Sequence, residues 1–244
     1  MKYSIIVFCA LATFTIAPQA HAQEDNWSGA YVGVYAGANA GTNEFRDYWC
    51  WSACDAPNIN VTKPVVGGTV GLNLQADEHL VVGVEADFGT GFKHTLATPS
   101  AATSTYQWTT NVKWQSTIRA RAGLSSGNTL AYVTGGYAIA NADLSERTDS
   151  TQTGGGAVGV AWGAKFSGNL SGYAYGGGIE HRLGPVSAKI EVLRETFGTR
   201  DACYMDLEGA SAGTCWATAR YSNPKSVSFT TSSTNLRVGL NYKF

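Results

Sequence analysis

The chain has 244 residues, 44% of them hydrophobic and only 14% charged, with a formal net charge of −1 at neutral pH. Near-neutrality excludes the basic footprint of a nucleic-acid partner, and no run approaches the ~18 apolar residues of a membrane-spanning helix. So little charge beside 29 Gly and 12 Tyr favours strands and turns over helices.

In chain order, residues 1–22 read as a secretory signal peptide. Lys2 is the positive n-region, Ile5 to Ile16 the apolar stretch, and Ala20-His21-Ala22 the small-x-small cleavage site. Residues 23–244 then form one domain. Cys9 leaves with the signal peptide, and Cys50, Cys54, Cys203 and Cys215 remain. Four cysteines in an exported chain read as disulfide candidates, with three connectivities open. Pairing within a loop is favoured because short segments close without a folded scaffold, and Cys203–Cys215 closure would contribute roughly 3 kcal/mol.

Eight alternating runs follow. Ala30, Val32, Val34, Ala36 and Ala38 oppose Tyr31, Gly33, Tyr35, Gly37 and Asn39. Val66, Val70, Leu72 and Leu74 oppose Thr69, Asn73 and Gln75; Leu80, Val82, Val84, Ala86 and Phe88 oppose Val81, Gly83, Glu85 and Asp87. Val112, Trp114, Ile118, Ala120, Ala122 and Leu124 oppose Lys113, Gln115, Thr117, Arg119 and Arg121. Alternation is weak from Leu130 to Ala140, leaving that phase open. Between Ser171 and Arg182 the phase with Tyr173, Tyr175, Ile179 and Leu183 outward sends Glu180 inward. Val186, Ala188, Ile190 and Val192 oppose Ser187, Lys189 and Glu191. Finally Leu236, Val238, Leu240, Tyr242 and Phe244 alternate with Arg237, Gly239, Asn241 and Lys243.

Period-2 runs of ~9–11 residues suit tilted strands that cross a bilayer. Gln75–His79, Ser125–Thr129 and Leu183–Pro185 read as tight turns, while 41–63, 89–110, 141–168 and 198–226 read as long loops. Short periplasmic turns alternating with long external loops are the asymmetry of bacterial barrels. The fold predicted is all-β: an eight-stranded antiparallel transmembrane β-barrel with short periplasmic turns and four long external loops.

The polar faces then point inward. Glu85, Asp87, Glu180 and Glu191 balance Arg119, Arg121, Lys189 and Arg237. A base on the lipid face near the midplane costs ~2–4 kcal/mol, and eight strands leave a lumen that side chains fill. The set therefore predicts a lumen salt-bridge network. Leu236, Val238, Leu240, Tyr242 and Phe244 look like the signal that barrel-assembly machinery reads during insertion.

Other motifs are weak. Gly154, Gly156 and Gly159 match G-x-G-x-x-G, yet a polar loop precedes them where the dinucleotide fingerprint needs a buried strand. His79, His94 and His181 lack metal-ligand spacing, and export disfavours a zinc Cys₄ site. His94, Tyr106, Tyr204 and Tyr221 are conceivable hemin ligands that read better as solvated loop residues. His181 sits in Glu180-His181-Arg182, without a hydroxyl two residues on. No catalytic residue, cofactor or metal site is expected.

Several signatures converge: Trp27-x-Gly29-x-Tyr31-Val32-Gly33, Gly83-Val84-Glu85-Ala86-Asp87-Phe88, Arg119-Ala120-Arg121-Ala122-Gly123, Thr134-Gly135-Gly136-Tyr137-Ala138, Ser187-Ala188-Lys189-Ile190-Glu191 and the last strand. Together they resemble the small RopB-type, opacity-protein-like outer-membrane β-barrels of Gram-negative bacteria. The resemblance covers most strands and none of the loops. It implies an abundant surface protein linked to envelope integrity, host contact and antigenicity, with hemin binding described for some members. The four loop cysteines depart from the family pattern. The reading is a surface-exposed protein with outer-membrane lipid around it and an unknown external ligand or host surface as partner. A narrow porin-like channel and a hemin or small-ligand receptor are the alternatives.

Overall fold

The computed structural model describes residues 26–47, 59–100, 104–150, 161–206 and 227–244. Every described element is a strand: β1 (Gly29–Asp47), β2 (Ile59–Gln75), β3 (Leu80–Thr90), β4 (Lys93–Ser100), β5 (Ser104–Ser126), β6 (Thr129–Ser150), β7 (Ala161–Leu183), β8 (Val186–Phe197), β9 (Arg200–Ala202), β10 (Tyr204–Asp206) and β11 (Val227–Lys243). Antiparallel pairing runs β1-β2-β3-β5-β6-β7-β8-β11, and β11 pairs back to β1. Eight strands thus close a ring with no free edge, as a membrane requires because lipid satisfies no backbone polar group.

The two-residue turns Gly127-Asn128 and Gly184-Pro185 join β5 to β6 and β7 to β8. Their first residues have φ of 53° and 71°, a region that Gly adopts without a Cβ clash. The β2–β3 turn is closed by the Ala76 amide on the Leu80 carbonyl at 2.8 Å. These three turns fall where the sequence places them.

The opposite ends differ from the expected loop bounds. β5, β6 and β7 run 23, 22 and 23 residues, about twice what a bilayer needs. Most of 89–110 and 141–168, and parts of 41–63 and 198–226, are therefore strand. β3 and β4 both pair with β5, and β9 continues the β8 side of β11. The break between β3 and β4 coincides with a bulge at Lys113, where the register slips between Val112 and Trp114. The extra residue reverses the expected phase of Val112, which is buried on the inner face while Lys113 points out.

The exposed large apolar residues form one belt. Val34, Val66, Val84, Ile118, Val133, Ile179, Ile190 and Val238 stand on its outer wall. Tyr242 and Phe244 edge it on the turn side, with ring centroids 5.4 Å apart. Phe88 stacked on Trp114 (5.7 Å) and Tyr173 on Tyr175 (6.1 Å) edge it on the far side. Such paired aromatic rims mark the two headgroup levels.

Candidate functional site

The inner faces build three layers. At the turn end, Trp27 folds under the barrel and packs with Val81, Leu130 and Tyr132. The Arg182 guanidinium lies 4.6 Å from the Trp27 ring centre, and its Nη1 donates to the Asn26 carbonyl at 2.7 Å. Gln75 accepts from the Trp27 amide, and Lys243 Nζ also donates to Asn26. Residues 26–28 thereby cap the periplasmic mouth, using side chains from both ends of the described chain.

Above this cap lies the charged layer. Arg119, 1% exposed, reaches Glu85 at 2.6 Å, Asp87 at 3.0 Å and Glu191 at 3.0 Å. Its Nε donates to Thr117. Lys189 crosses from β8 to Glu85 on β3, diametrically opposite in the ring, at 2.8 Å. Arg237 joins Asp87 at 3.2 Å and Glu195 at 3.1 Å. Arg121 meets Glu180 at 2.8 Å, skipping a strand, and is only 3.6 Å from Glu85. All eight residues of the expected lumen set lie in this one layer.

Tyrosines finish the layer. Tyr31 donates to Glu85 and accepts from Arg121, while Tyr132 donates to Glu191. Arg121 lies 4.0 Å from the Tyr132 ring centre and Arg237 lies 4.5 Å from that of Tyr35. Gly71 and Gly67 on β2 make room for Tyr31 and Tyr35, because a Cβ at either glycine would overlap the phenol. Glu195 is the acid the sequence reading missed. It lies beyond Val192, where that reading stopped, although its position continues the Lys189, Glu191 phase.

The third layer is apolar. Phe45, Phe92, Trp108, Leu144, Leu170, Leu193, Phe197 and Phe229 pack inside the far end, with Phe45 and Phe229 edge to face at 5.2 Å. The outer wall here is polar. Asn141 donates to Asn169 at 2.8 Å, and Asp143 pairs with Lys113 at 3.1 Å. Donation from Ser167, then Lys113, holds the Asp143 carboxyl below its usual range. A wet exterior over a dry interior is the pattern of water-soluble proteins, so this section stands outside the bilayer.

The remaining candidates separate. Tyr204 is buried and lies 3.4 Å from Glu146, not solvated as expected, whereas His94 is half-buried on β4. Tyr106 lies on β5; Tyr221 lies outside the described residues, as do Gly154, Gly156, Gly159, Cys50, Cys54, Cys215 and residues 1–22. Cys203 is disulfide-bonded. His181 stands on the outer wall with Nδ1 2.9 Å from Thr129 Oγ1, a cross-strand hydroxyl that sequence spacing alone does not reveal. Leu236, Val238, Leu240, Tyr242 and Phe244 all face outward, and the Phe244 amide donates to Ala30 at 3.0 Å.

The family of the outer membrane protein beta-barrel domain matches residues 6–244. The chain belongs to that family. Among solved structures, OprG from Pseudomonas aeruginosa is 9% identical, covering 91% of this chain and 99% of that one at a TM-score of 0.50. The outer membrane protease OmpT from Escherichia coli is 8% identical, with 88% and 97% covered and a TM-score of 0.45. Ail, the attachment invasion locus protein of Yersinia pestis, is 12% identical, with 88% and 99% covered and a TM-score of 0.36. At such identities the likeness to OprG carries the fold alone. No curated protein matches the chain. Family and belt together place this barrel in the bacterial outer membrane, surrounded by its lipid.

Proposed function

We propose that the protein is a non-catalytic surface scaffold that presents its outer section to the environment or a host surface while contributing to envelope structure. The observation that carries this reading is the filled interior. Through-flow needs a continuous water path, yet the Glu85–Lys189 and Arg119–Glu191 contacts span the lumen. Phe92, Trp108, Phe197 and Phe229 pack above them. An eight-stranded wall gives such side chains no room to leave. The doubled strands support the same reading, because they carry a far section with its own core beyond the headgroups.

The porin-like alternative predicts steady conduction. The hemin alternative loses Tyr204 as a ligand, since its hydroxyl is buried toward Glu146. Two measurements test the proposal. Purified protein in planar bilayers should show no large, stable conductance steps. Cells expressing the full chain should adhere to host-cell or matrix surfaces more than cells whose four external tips are replaced by short Gly-Ser turns. Equal adhesion of the two strains overturns the presenting role, and sustained conductance promotes the channel.

A further inference from the structure

Among the described residues, Glu195 brings the carboxylates of the charged layer to five, against four bases. Glu146 above the layer and Arg182 below it are one acid and one base, so the described interior keeps one excess negative charge. A carboxylate shut away from water stays ionised only when a positive charge meets it.

Four side chains show where that charge is met. Tyr35, Thr69, Asp87 and Gln115 face the lumen from β1, β2, β3 and β5, each 4% exposed or less. Among the described residues Tyr35 Oη, Thr69 Oγ1, Asp87 Oδ1 and Gln115 Nε2 have no hydrogen-bond partner. Register brings them together. Tyr35, Gly67, Gly89 and Gln115 form one cross-strand row, and Thr69 pairs with Asp87 in the next inward row. The Tyr35 hydroxyl lies against both glycines, where a Cβ would overlap it. Asp87 is the inward residue before Gly89, ~6.7 Å along the strand. Its carboxylate and the phenol therefore end near enough to share one small ion. Asp87 Oδ2 already meets Arg119, Arg237 and Thr117, which leaves Oδ1 for another partner.

The donor set narrows that partner. Two hydroxyls and a carboxylate supply hard oxygens, and turning the Gln115 amide over presents a fourth. One carboxylate suits one charge; among the described residues no three acidic, histidine or cysteine side chains gather as a metal site would need. A path leads in from the outer section. The β2–β3 ladder ends at Gly67–Gly89, the Val66 amide donates to Thr90 Oγ1 at 3.2 Å, and beyond that β2 and β4 are not paired. The stacked Phe88 and Trp114 lie beside this point, so the seam opens at the far rim of the belt.

We propose that Tyr35, Thr69, Asp87 and Gln115 form a site for one alkali-metal cation, which neutralises the lumen and enters through the seam between β2 and β4. It is a closed-ended site, since the ion pairs below it span the lumen.

The test uses the full mature chain in detergent at fixed ionic strength, with choline as the balancing cation. Retention of radioactive sodium, or of rubidium standing in for potassium, is measured by dialysis, and urea unfolding is followed in each salt. One alkali ion per chain should be retained. Well above the dissociation constant, each tenfold rise in that ion should raise the folding equilibrium constant tenfold, with choline inert. Tyr35→Phe/Thr69→Val keeps every charge and should weaken retention about tenfold or more, the scale of losing two polar contacts. Asp87→Asn should abolish retention; if it does not fold, the hydroxyl variant decides. Ser233→Ala, beside Glu195 in the same layer, should bind like the parent. Retention of neither ion, or equal stabilisation by choline, overturns the proposal and leaves a proton to neutralise the layer. Calcium binding more tightly than either alkali ion overturns the monovalent assignment. Unchanged retention in the hydroxyl variant places the ion elsewhere and overturns the site.

Discussion

Arg119 joins three carboxylates from two other strands at 2.6, 3.0 and 3.0 Å, nearer than the three that Arg237 reaches at 3.1, 3.2 and 3.9 Å. Removing its side chain leaves Glu85, Asp87 and Glu191 short of positive charge inside a closed wall. Truncating one partner of a buried pair typically costs ~3–5 kcal/mol, and lumen water lowers that figure. Arg119→Ala should therefore unfold at clearly lower urea than the parent, while Lys63→Ala, exposed on the wall, should stay within about 0.5 kcal/mol. Equal midpoints would remove the network from the stability of the fold. Gly71→Ala should cost about 1–3 kcal/mol, the usual range for overpacking, because the new methyl displaces the Tyr31 ring; Tyr31→Phe in the same background should not restore it. The charged residues of this layer are legible in sequence because a base cannot face lipid cheaply. Their partners are not legible. Tyr31 and Glu85 lie 54 positions apart, and alternation gives a side chain's face without its reach.

Single strands change character along their length. On β6 the outward side reads Val133, Tyr137, Ile139 and then Asn141, Asp143, Ser145, while the inward side passes from Thr134 to Ala138, Ala140, Ala142 and Leu144. The pleat is continuous, yet the dry face moves from outside to inside where the strand leaves the bilayer. Alternation consequently fades near the crossing, which is why Leu130 to Ala140 gives no firm phase and why the far half of each strand looks like loop. β8 up to Val192 and the lower part of β11 stay within one solvent regime and are plain in the sequence. β5 adds a further obstacle, since the Lys113 bulge shifts its phase by one residue. Deleting Lys113 should turn Val112, Thr110 and Trp108 outward together. The far section should then become protease-sensitive, while the belt remains folded and heat-modifiable on a gel. Unchanged protease resistance would mean that the bulge does not set the register.

As a whole the molecule joins two solubility regimes in one ring. The belt is held by lipid outside and ion pairs inside; the far section is held by its own apolar core. They should yield separately. Cys203 sits between β9 and β10, short pieces that tie β11 and β7 together in the far section. Reduction should loosen that section and raise its proteolysis, with the belt left intact on a heat-modifiability gel. Loss of the whole fold on reduction would show that the two regimes are not independent. The ring and its inside-out polarity follow from residue patterns alone. The height of the barrel does not, because it depends on where the bilayer ends along each strand.

The polarity crossing also bears on immune recognition. On the far half of β6, an antibody approaching the cell meets Asn141, Asp143, Ser145 and Arg147 of alternate positions, together with Lys113 and Ser167 from neighbouring strands. The intervening Ala142, Leu144 and Glu146 are buried. A linear peptide copied from this stretch displays both sets at once, so sera raised against it should include antibodies to side chains that the folded strand buries. Antibodies to the living cell must read across strands, and denaturing the barrel erases what they bind.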